Sequence, residues 1–493
     1  MKELFEEPSL FVEILAHFSH AIVVGFARFR QLLVRSKFHF ESNNLEVDNG
    51  RELYVPLYQE SDSFYACYVH RRIRETMDKP ICSVPGVYIT VLERETPDNG
   101  CHFKLTGKKH EMLNTGSYNY LGFAQNQGPC TRAADAAIRL YGIGVCSSSQ
   151  ELGTLDIHHE LNELTARFIG VEDCITFGMG YATNTTCIPS LMGKGCLVIS
   201  DQLNHVSIIV GCRISGATIR VFRHNDMTSL ENTLRNAIIN GQPKTGRAWK
   251  KILIIVEGIF SMEGSIVHLL EVIRLKKKYK AYLYVDEAHS IGALGPRGRG
   301  VVDFFNCHPE DVDILMGTFT KSFAAAGGYI AGKKKLIDHI RRQSHAMFYA
   351  SSMSAPVAQQ IISSMKIIMG QDGTDEGERK LKQLAENSLY FRSRLREMGF
   401  IVYGSDLSPV VPVLLYTPAK TRAMVKLMAR YGIAVVCVGF PATPILKARA
   451  RFCLSADHTK EMLDKVHSIP NARVTMMASQ GASLKSLPTV LLP

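Results

Sequence analysis

From Asn114 to about residue 355, short apolar runs alternate with glycine-rich turns and helically periodic stretches. The runs at Cys196–Ser200, Thr218–Phe222, Lys251–Val256, Tyr282–Val285 and Ile314–Met316 predict buried strands, because a continuous apolar run bounded by turn signals needs cover on both faces. Periodic segments lie between them, Leu161 to Phe168 among the first, so successive strands are joined by helical crossovers and the sheet is mainly parallel. Ile175-Thr-Phe-Gly-Met-Gly-Tyr-Ala-Thr-Asn184 reads as strand, glycine turn and helix start. Past residue 355 the texture changes. Helical periodicity covers Val357–Gly370 and Gly377–Met398, and shorter strands are predicted at Phe400–Tyr403, Val410–Leu415, Ile433–Val438 and Ala450–Leu454. A small α+β domain is expected there.

The two ends read differently. Phe11 to Phe29 is largely apolar and is flanked by Arg28, Arg30, Arg35 and Lys37, a pattern that places the following residues on the cytosolic side of a membrane. Glu13, His17 and His20 recur at helical spacing as a polar stripe and the uncharged part is short, so spanning and lying in the interface both stay open. The basic residues follow the apolar run, which argues against a secretory signal. The expected division is 1–50 for a membrane-associated helix with a polar linker (36–55), 51–105 for an amino-terminal arm, 106–355 for a large domain, 356–466 for the small domain and 467–493 for an irregular tail.

Composition narrows the function classes. Hydrophobic content of 46% against 21% charged residues describes an ordinary globular chain. The formal charge of +11 is dispersed. Its short runs, Lys276-Lys277-Lys278 and Lys333-Lys334-Lys335, end helix-like segments and read as solvated faces. No nucleic-acid module or metal-ligand spacing is present; the charge suits anionic headgroups or a phosphate-rich thioester. The twelve cysteines lack paired short spacings. Cys82, Cys146, Cys174, Cys187, Cys196, Cys212 and Cys453 mostly lie in apolar contexts, as buried free thiols in a reducing compartment would.

The chemistry gathers at predicted strand ends. Asp313-Ile-Leu-Met-Gly-Thr-Phe-Thr-Lys-Ser-Phe-Ala-Ala-Ala-Gly-Gly328 is an apolar strand followed by Thr318, Thr320, Lys321, Ser322 and five consecutive small residues. A lysine that loses solvation in a pocket becomes a free amine able to attack a carbonyl, and flanking hydroxyls suit a phosphate on the same ligand; together they suggest pyridoxal phosphate (PLP). Gly180 and Tyr181 open a helix whose free amides could meet that phosphate. Asp286 follows a strand directly, where a carboxylate can pair with a protonated pyridine nitrogen. His289 could donate to the ring's phenolic oxygen, and His205, at another strand end, could stack on the ring. In Lys447-Ala-Arg449-Ala-Arg451-Phe the arginines alternate, so they share one face; turned inward, an arginine could clamp a substrate carboxylate, and turned outward both are solvated.

These residues resemble the α-oxoamine synthases, a family of fold-type-I PLP enzymes. The similarity runs from about residue 50 to 466, and within the family it is strongest to the second (type 2/type 3) long-chain-base subunits of serine palmitoyltransferases. The most specific stretches are Gly317-Thr-Phe-Thr-Lys-Ser-Phe, Val285-Asp-Glu-Ala-His-Ser-Ile-Gly, Val256-Glu-Gly-Ile-Phe-Ser-Met-Glu-Gly-Ser and Val438-Gly-Phe-Pro-Ala-Thr-Pro. The resemblance implies an α/β fold-type-I transferase in which Lys321 is the Schiff-base lysine, Asp286 the pyridinium partner, His289 the histidine near the ring oxygen and His205 the stacked one. Gly180, Tyr181, Thr318 and Thr320 fall on phosphate positions, and Arg451 and Asn119 on substrate positions.

By the same resemblance, L-serine condenses with a long-chain acyl-CoA, with loss of CO2, to 3-ketosphinganine. It also implies an endoplasmic reticulum membrane location with the catalytic domain facing the cytosol, and a heterodimer with a first long-chain-base subunit, together with small accessory subunits. Two departures from the family pattern stand out. Ser149 replaces an arginine in Ser147-Ser-Ser-Gln-Glu151, and Ala324 replaces a glycine, adding a Cβ where a backbone with φ > 0 is expected. A weakly catalytic PLP-binding subunit, or a related glycine-using synthase, are the alternatives.

Overall fold

Seven strands make the central sheet of the computed structural model: β3 (Asp173–Phe177), β4 (Leu197–Asp201), β5 (Thr218–Phe222), β6 (Ile252–Glu257), β7 (Tyr282–Asp286), β8 (Ile314–Thr318) and β9 (Gly328–Gly332). Their spatial order is β3-β9-β8-β7-β6-β4-β5. Pairing is parallel from β8 through to β5, while β9 runs antiparallel to both β3 and β8. Every residue of β4 and β8 is buried, which is why these strands read as continuous runs rather than as alternation; β9 is buried throughout as well. The structure describes residues 10–37, 76–97, 102–416, 418–440 and 442–469. Most of the 36–55 linker, much of the 51–105 arm and nearly all of the 467–493 tail lie outside the described residues.

Local sequence explains the crossovers. Helix Pro129–Tyr141 carries proline in its first turn and ends at Gly142, φ 74°. Helix Asp156–Ile169 ends at Gly170 in the left-handed region, φ 87°, which relieves the last carbonyls at no Cβ cost. Asp226 caps helix Met227–Asn240 by accepting from the Ser229 amide at 2.8 Å.

The carboxyl-terminal part holds β10 (Val410–Tyr416), β12 (Val436–Val438) and β13 (Ala448–Cys453) as one antiparallel sheet in the order β10-β13-β12. The strand expected over Ile433–Val438 is two strands. Ile433–Ala434, β11, pairs in parallel with β2 (Lys104–Asn114), itself half of a hairpin with β1 (Tyr88–Glu95). The hairpin is thereby tied, as the separate sheet β1-β2-β11, to the carboxyl-terminal part of the chain. The strand expected at Phe400–Tyr403 is a single bridge, Val402 to Val413, between Gly399 and Gly404, whose φ of 83° and 86° turn the chain out of the ladder. Helix Pro418–Arg430 and strand β9 were not anticipated. Among the expected buried thiols, Cys82 and Cys146 are exposed.

The amino-terminal helix spans Leu10–Lys37. Among the described residues no helix is long and apolar enough to cross a membrane. Its His20 ring meets Phe440 edge-on at 5.8 Å and Ala27 is buried, whereas Phe11, Phe18, Phe26 and Phe29 are exposed. His20, Val24 and Ala27 lie on the side that meets the protein, whereas Glu13 and His17 of the polar stripe are exposed along with the phenylalanines.

Candidate active site

Every strand-end residue singled out in the sequence arrives at the carboxyl edge of the sheet, the edge where open α/β sheets bind ligands. Asp286 closes β7 and Thr318 closes β8; His205 follows β4, and Gly180 opens the helix after β3. Parallel pairing does this. Six of the seven strands, all but β9, run in one direction, so their carboxyl ends gather on one side whatever their order in the chain.

Asp286 is buried and doubly held: its Oδ2 accepts from Asn184 Nδ2 at 2.9 Å and its Oδ1 from the Ala288 amide at 2.9 Å. Asn184 is itself oriented, accepting from the Tyr284 hydroxyl at 2.6 Å and donating to Ser207 Oγ at 2.9 Å. Ser207 Oγ pairs with His205 Nδ1 at 2.7 Å. The His205 amide donates to Glu257, a buried carboxyl on the strand next to Asp286. Burial raises the Glu257 pKa well above the usual carboxylate range, and the Asp286 charge adds to this. One network therefore fixes the carboxylate and the imidazole. Its other members, Asn184, Ser207, Tyr284 and Glu257, carried no motif signal of their own, because helix and strand interiors are full of such residues in bland roles.

Lys321 stands in the turn after β8. Ser322 donates to the Ile291 carbonyl at 2.9 Å, and Phe319 and Phe323 are fully buried on either side. Burial lowers the Lys321 ammonium to about 8, with Asp286 pulling in the opposite direction. Ala324 sits at φ 52°, so the Cβ added there does occupy a left-handed backbone.

The phosphate candidates divide. Thr318 Oγ1 lies 2.9 Å from Thr320 Oγ1 and donates to the Gly327 carbonyl at 2.8 Å. Gly180 lies against it: a Cβ there would stand 2.6 Å from Thr318 Oγ1. The first turn of helix Gly180–Leu191, whose leading amides have no intrahelical acceptor, therefore opens onto the two threonine hydroxyls. Tyr181 turns its half-exposed ring edge-on to His205 at 6.2 Å and borders the imidazole as well as that turn.

Arg451 comes from the other sheet. Arg449 and Arg451 are both buried, at 1% and 6% exposure, so the solvated alternative does not hold. Arg449 is tied down by the Met262 carbonyl at 2.6 Å and Glu263 at 3.1 Å. Arg451 lies over the Tyr118 ring at 4.8 Å, and its Nε has no hydrogen-bond partner among the described residues. Lys321 Nζ lies 5.8 Å from the same ring, and His289 meets it edge-on at 5.2 Å. His289 Nδ1 pairs with the Tyr120 hydroxyl at 2.8 Å, and burial holds its pKa well below the ordinary histidine value. Asn119, between those tyrosines, braces the turn instead of facing substrate: it donates to the Pro85 carbonyl at 3.1 Å and accepts from the Ala124 amide at 3.2 Å. Tyr118 and Tyr120 are the residues of Tyr118-Asn-Tyr120 that touch the site. Ser149 pairs with Ser352 at 2.8 Å, linking the loop around residue 149 to the segment before helix Ala355–Ile368.

Comparison with known proteins agrees with this geometry. Residues 110–468 match the family model for aminotransferase class I and II. The chain is 53% identical to human serine palmitoyltransferase 3 over 94% of this chain and 84% of that protein. It is 48% identical to serine palmitoyltransferase 2 of Caenorhabditis elegans over 97% of this chain and 85% of that one. Among solved structures, serine palmitoyltransferase from S. paucimobilis, with PLP and myriocin bound, superposes with a TM-score of 0.72 at 26% identity, covering 86% of this chain and 99% of that chain. Fold, strand-end chemistry and relatedness together place this chain in the aminotransferase class I and II family, in its serine palmitoyltransferase group.

Proposed function

We propose that this chain carries out the PLP-dependent decarboxylating condensation of L-serine with a long-chain acyl-CoA, giving 3-ketosphinganine, CO2 and free CoA. The observation that carries the reading is the convergence on Tyr118. An amine with its pKa lowered to about 8 and a guanidinium from the other sheet lie against one aromatic ring, at 5.8 and 4.8 Å. An amino group and a carboxylate on one carbon need such a pair.

The residues present fit PLP. Gly180 keeps open the cradle that a Cβ would fill, before free helix amides and two threonine hydroxyls suited to a phosphate. When bound, PLP supplies the electron sink that acidifies the α-carbon of the amino acid. The remaining work belongs to the chain. Asp286, fixed by Asn184, offers a carboxylate for the pyridine nitrogen. His205, held at Nδ1 by Ser207 and at its amide by Glu257, presents a ring that stays exposed and suits stacking. His289 is neutral and anchored at Nδ1 by Tyr120, which leaves Nε2 to hydrogen-bond the ring oxygen. Lys321 would hold the cofactor through its amine, and an amine with its pKa lowered to about 8 suits taking and returning the proton at the substrate α-carbon. Arg451 grips the serine carboxylate until it leaves as CO2.

The same reading places the chain at the endoplasmic reticulum membrane, its catalytic part facing the cytosol, paired with a first long-chain-base subunit and small accessory subunits. Supporting it are the outward phenylalanines of helix Leu10–Lys37 and further exposed apolar residues, Leu140, Ile143, Leu152 and Tyr349. A second reading, a weakly catalytic PLP-binding subunit, is favoured by one observation, the left-handed Ala324 three residues after the lysine.

The test is the visible absorption spectrum of the chain co-expressed with a first long-chain-base subunit, before and after serine, with Lys321→Ala as control. A lysine-dependent band that shifts with serine, followed by 3-ketosphinganine formation, is expected. A lysine-dependent band without product, whether or not it responds to serine, overturns the condensation and favours the second reading, and no lysine-dependent band overturns both.

A further inference from the structure

Behind Arg451, and outside the residues assigned above, lies a buried chain of three side chains: Asp201, His224 and Ser265. His224 Nδ1 is 2.9 Å from Asp201 Oδ1, and its Nε2 is 2.8 Å from Ser265 Oγ. The order is that of a hydrolase triad, but the serine is fully buried at 0% exposure and the imidazole is covered edge-on by Phe260 at 4.4 Å. No substrate reaches this serine. Asp201 ends β4 and His224 follows β5, both within the large sheet. Ser265 belongs to the turn between Ile259 and Ile266, which bridge to each other.

That turn carries Met262, and Met262 meets both arginines. Its carbonyl accepts from Arg449 at 2.6 Å and its sulfur lies 3.8 Å from Arg451 Nη1. On the far side the turn is docked on the small domain: the Ile266 amide donates to Ser405 Oγ at 3.2 Å and the Ser405 amide to the Gly264 carbonyl at 3.0 Å. A glycine is required between these contacts, since Gly264 lies at φ +65° with a Cβ position 2.5 Å from the Val410 carbonyl. The turn is thus a strut between the two sheets, and Met262 and Tyr118 are the walls against which the Arg451 guanidinium rests. With Arg451 Nε lacking a partner of its own, packing against those walls sets its direction.

We propose that His224 is a positioning residue for the reaction: held by Asp201 and holding Ser265, it fixes the turn whose Met262 aims Arg451 at the substrate carboxylate. This rests on the assignment of Arg451 above. With Nδ1 on Asp201 and Nε2 on Ser265, the imidazole joins two elements that share no backbone hydrogen-bond ladder. A guanidinium displaced by about an ångström loses much of its advantage toward a bidentate acceptor.

The experiment uses the PLP-loaded complex and three variants: His224→Phe, which keeps the edge contact with Phe260 but neither hydrogen bond, Ser265→Ala, and Arg451→Gln as reference. Serine affinity is read from the serine-induced spectral change, and KM is read separately for serine and acyl-CoA. His224→Phe and Ser265→Ala are expected to weaken serine at least fivefold, with the PLP band retained and the acyl-CoA KM unchanged. Serine affinity within twofold of the parent in Ser265→Ala, while Arg451→Gln loses it, overturns the proposal and leaves the arginine assignment standing. Loss of the PLP band in Ser265→Ala, or an equal rise in both KM values, also overturns it, because the chain would then be holding the fold at large. If Arg451→Gln binds serine normally, the arginine assignment fails first and this inference with it. Should His224→Phe not fold, Ser265→Ala decides alone.

Discussion

Lys321 shows how a residue's surroundings turn a common side chain into a reagent. Its pKa falls from the ordinary lysine value to about 8 because burial penalises the ammonium, and Asp286 recovers only part of that. The rate of PLP uptake by the cofactor-free chain should therefore rise with pH and level off above about 8; a midpoint near the ordinary lysine value would contradict the burial argument. The linkage has a definite sign. Between about 8 and the unfolded value, the unfolded chain holds a proton that the folded chain has released, so stability of the cofactor-free protein rises with pH across that window. Ala324 is a second residue-scale case. An alanine at φ 52° pays the left-handed penalty that glycine avoids. Ala324→Gly should raise stability by about 0.5–1 kcal/mol after allowance for the looser unfolded chain, read as a higher denaturant midpoint. A fall in that midpoint would mean that the methyl group packs better than its backbone suffers. The lysine and its hydroxyls were legible because their types are unusual at a strand end. Asn119 was misjudged because only tertiary contacts reveal that its amide is already committed to Pro85 and Ala124.

At the scale of elements, the meeting of helix Gly180–Leu191 with the end of β8 depends on the missing side chain at Gly180. A Cβ there would lie 2.6 Å from Thr318 Oγ1, which cannot easily turn away because it is bonded to the Gly327 carbonyl at 2.8 Å. Gly180→Ala is expected to weaken PLP at least tenfold, about 1.4 kcal/mol, with the fold retained by circular dichroism. Unchanged affinity in an equilibrium dialysis titration would show that the phosphate sits elsewhere. Apolar runs located the inner strands well, Ile314–Met316 within β8 for one, because a doubly covered parallel strand has to be largely apolar. The pattern failed where strand partners change. Ile433–Val438 reads as one run, yet its first two residues pair with β2 and its last three with β13. No property of the run itself marks the switch.

Over the whole molecule, one surface looks outward for company. Helix Leu10–Lys37 turns His20 and Ala27 inward and Phe11, Phe18 and Phe26 outward, on a chain with a formal charge of +11. That arrangement suits an anionic bilayer surface, with apolar burial and electrostatic attraction acting together. The protein should float with vesicles containing phosphatidylserine, and the double substitution Phe18→Glu, Phe26→Glu should release most of it without changing the PLP spectrum. Flotation indifferent to both substitutions would assign the attachment to another segment.

The sequence by itself determined the alternation of strand and helix, and with it a mainly parallel sheet whose carboxyl edge collects Gly180, His205, Asp286, Thr318 and Lys321. Burial and strand direction are written into composition and order, so these could be read without coordinates. What only the tertiary structure decided is how the two sheets face each other. Tyr118, Arg451 and Met262 are far apart in the chain, and each is an unremarkable residue where it stands. They meet because β10-β13-β12 docks on the large sheet through the turn between Ile259 and Ile266. A contact of that kind depends on the packing of whole elements, which no local pattern encodes.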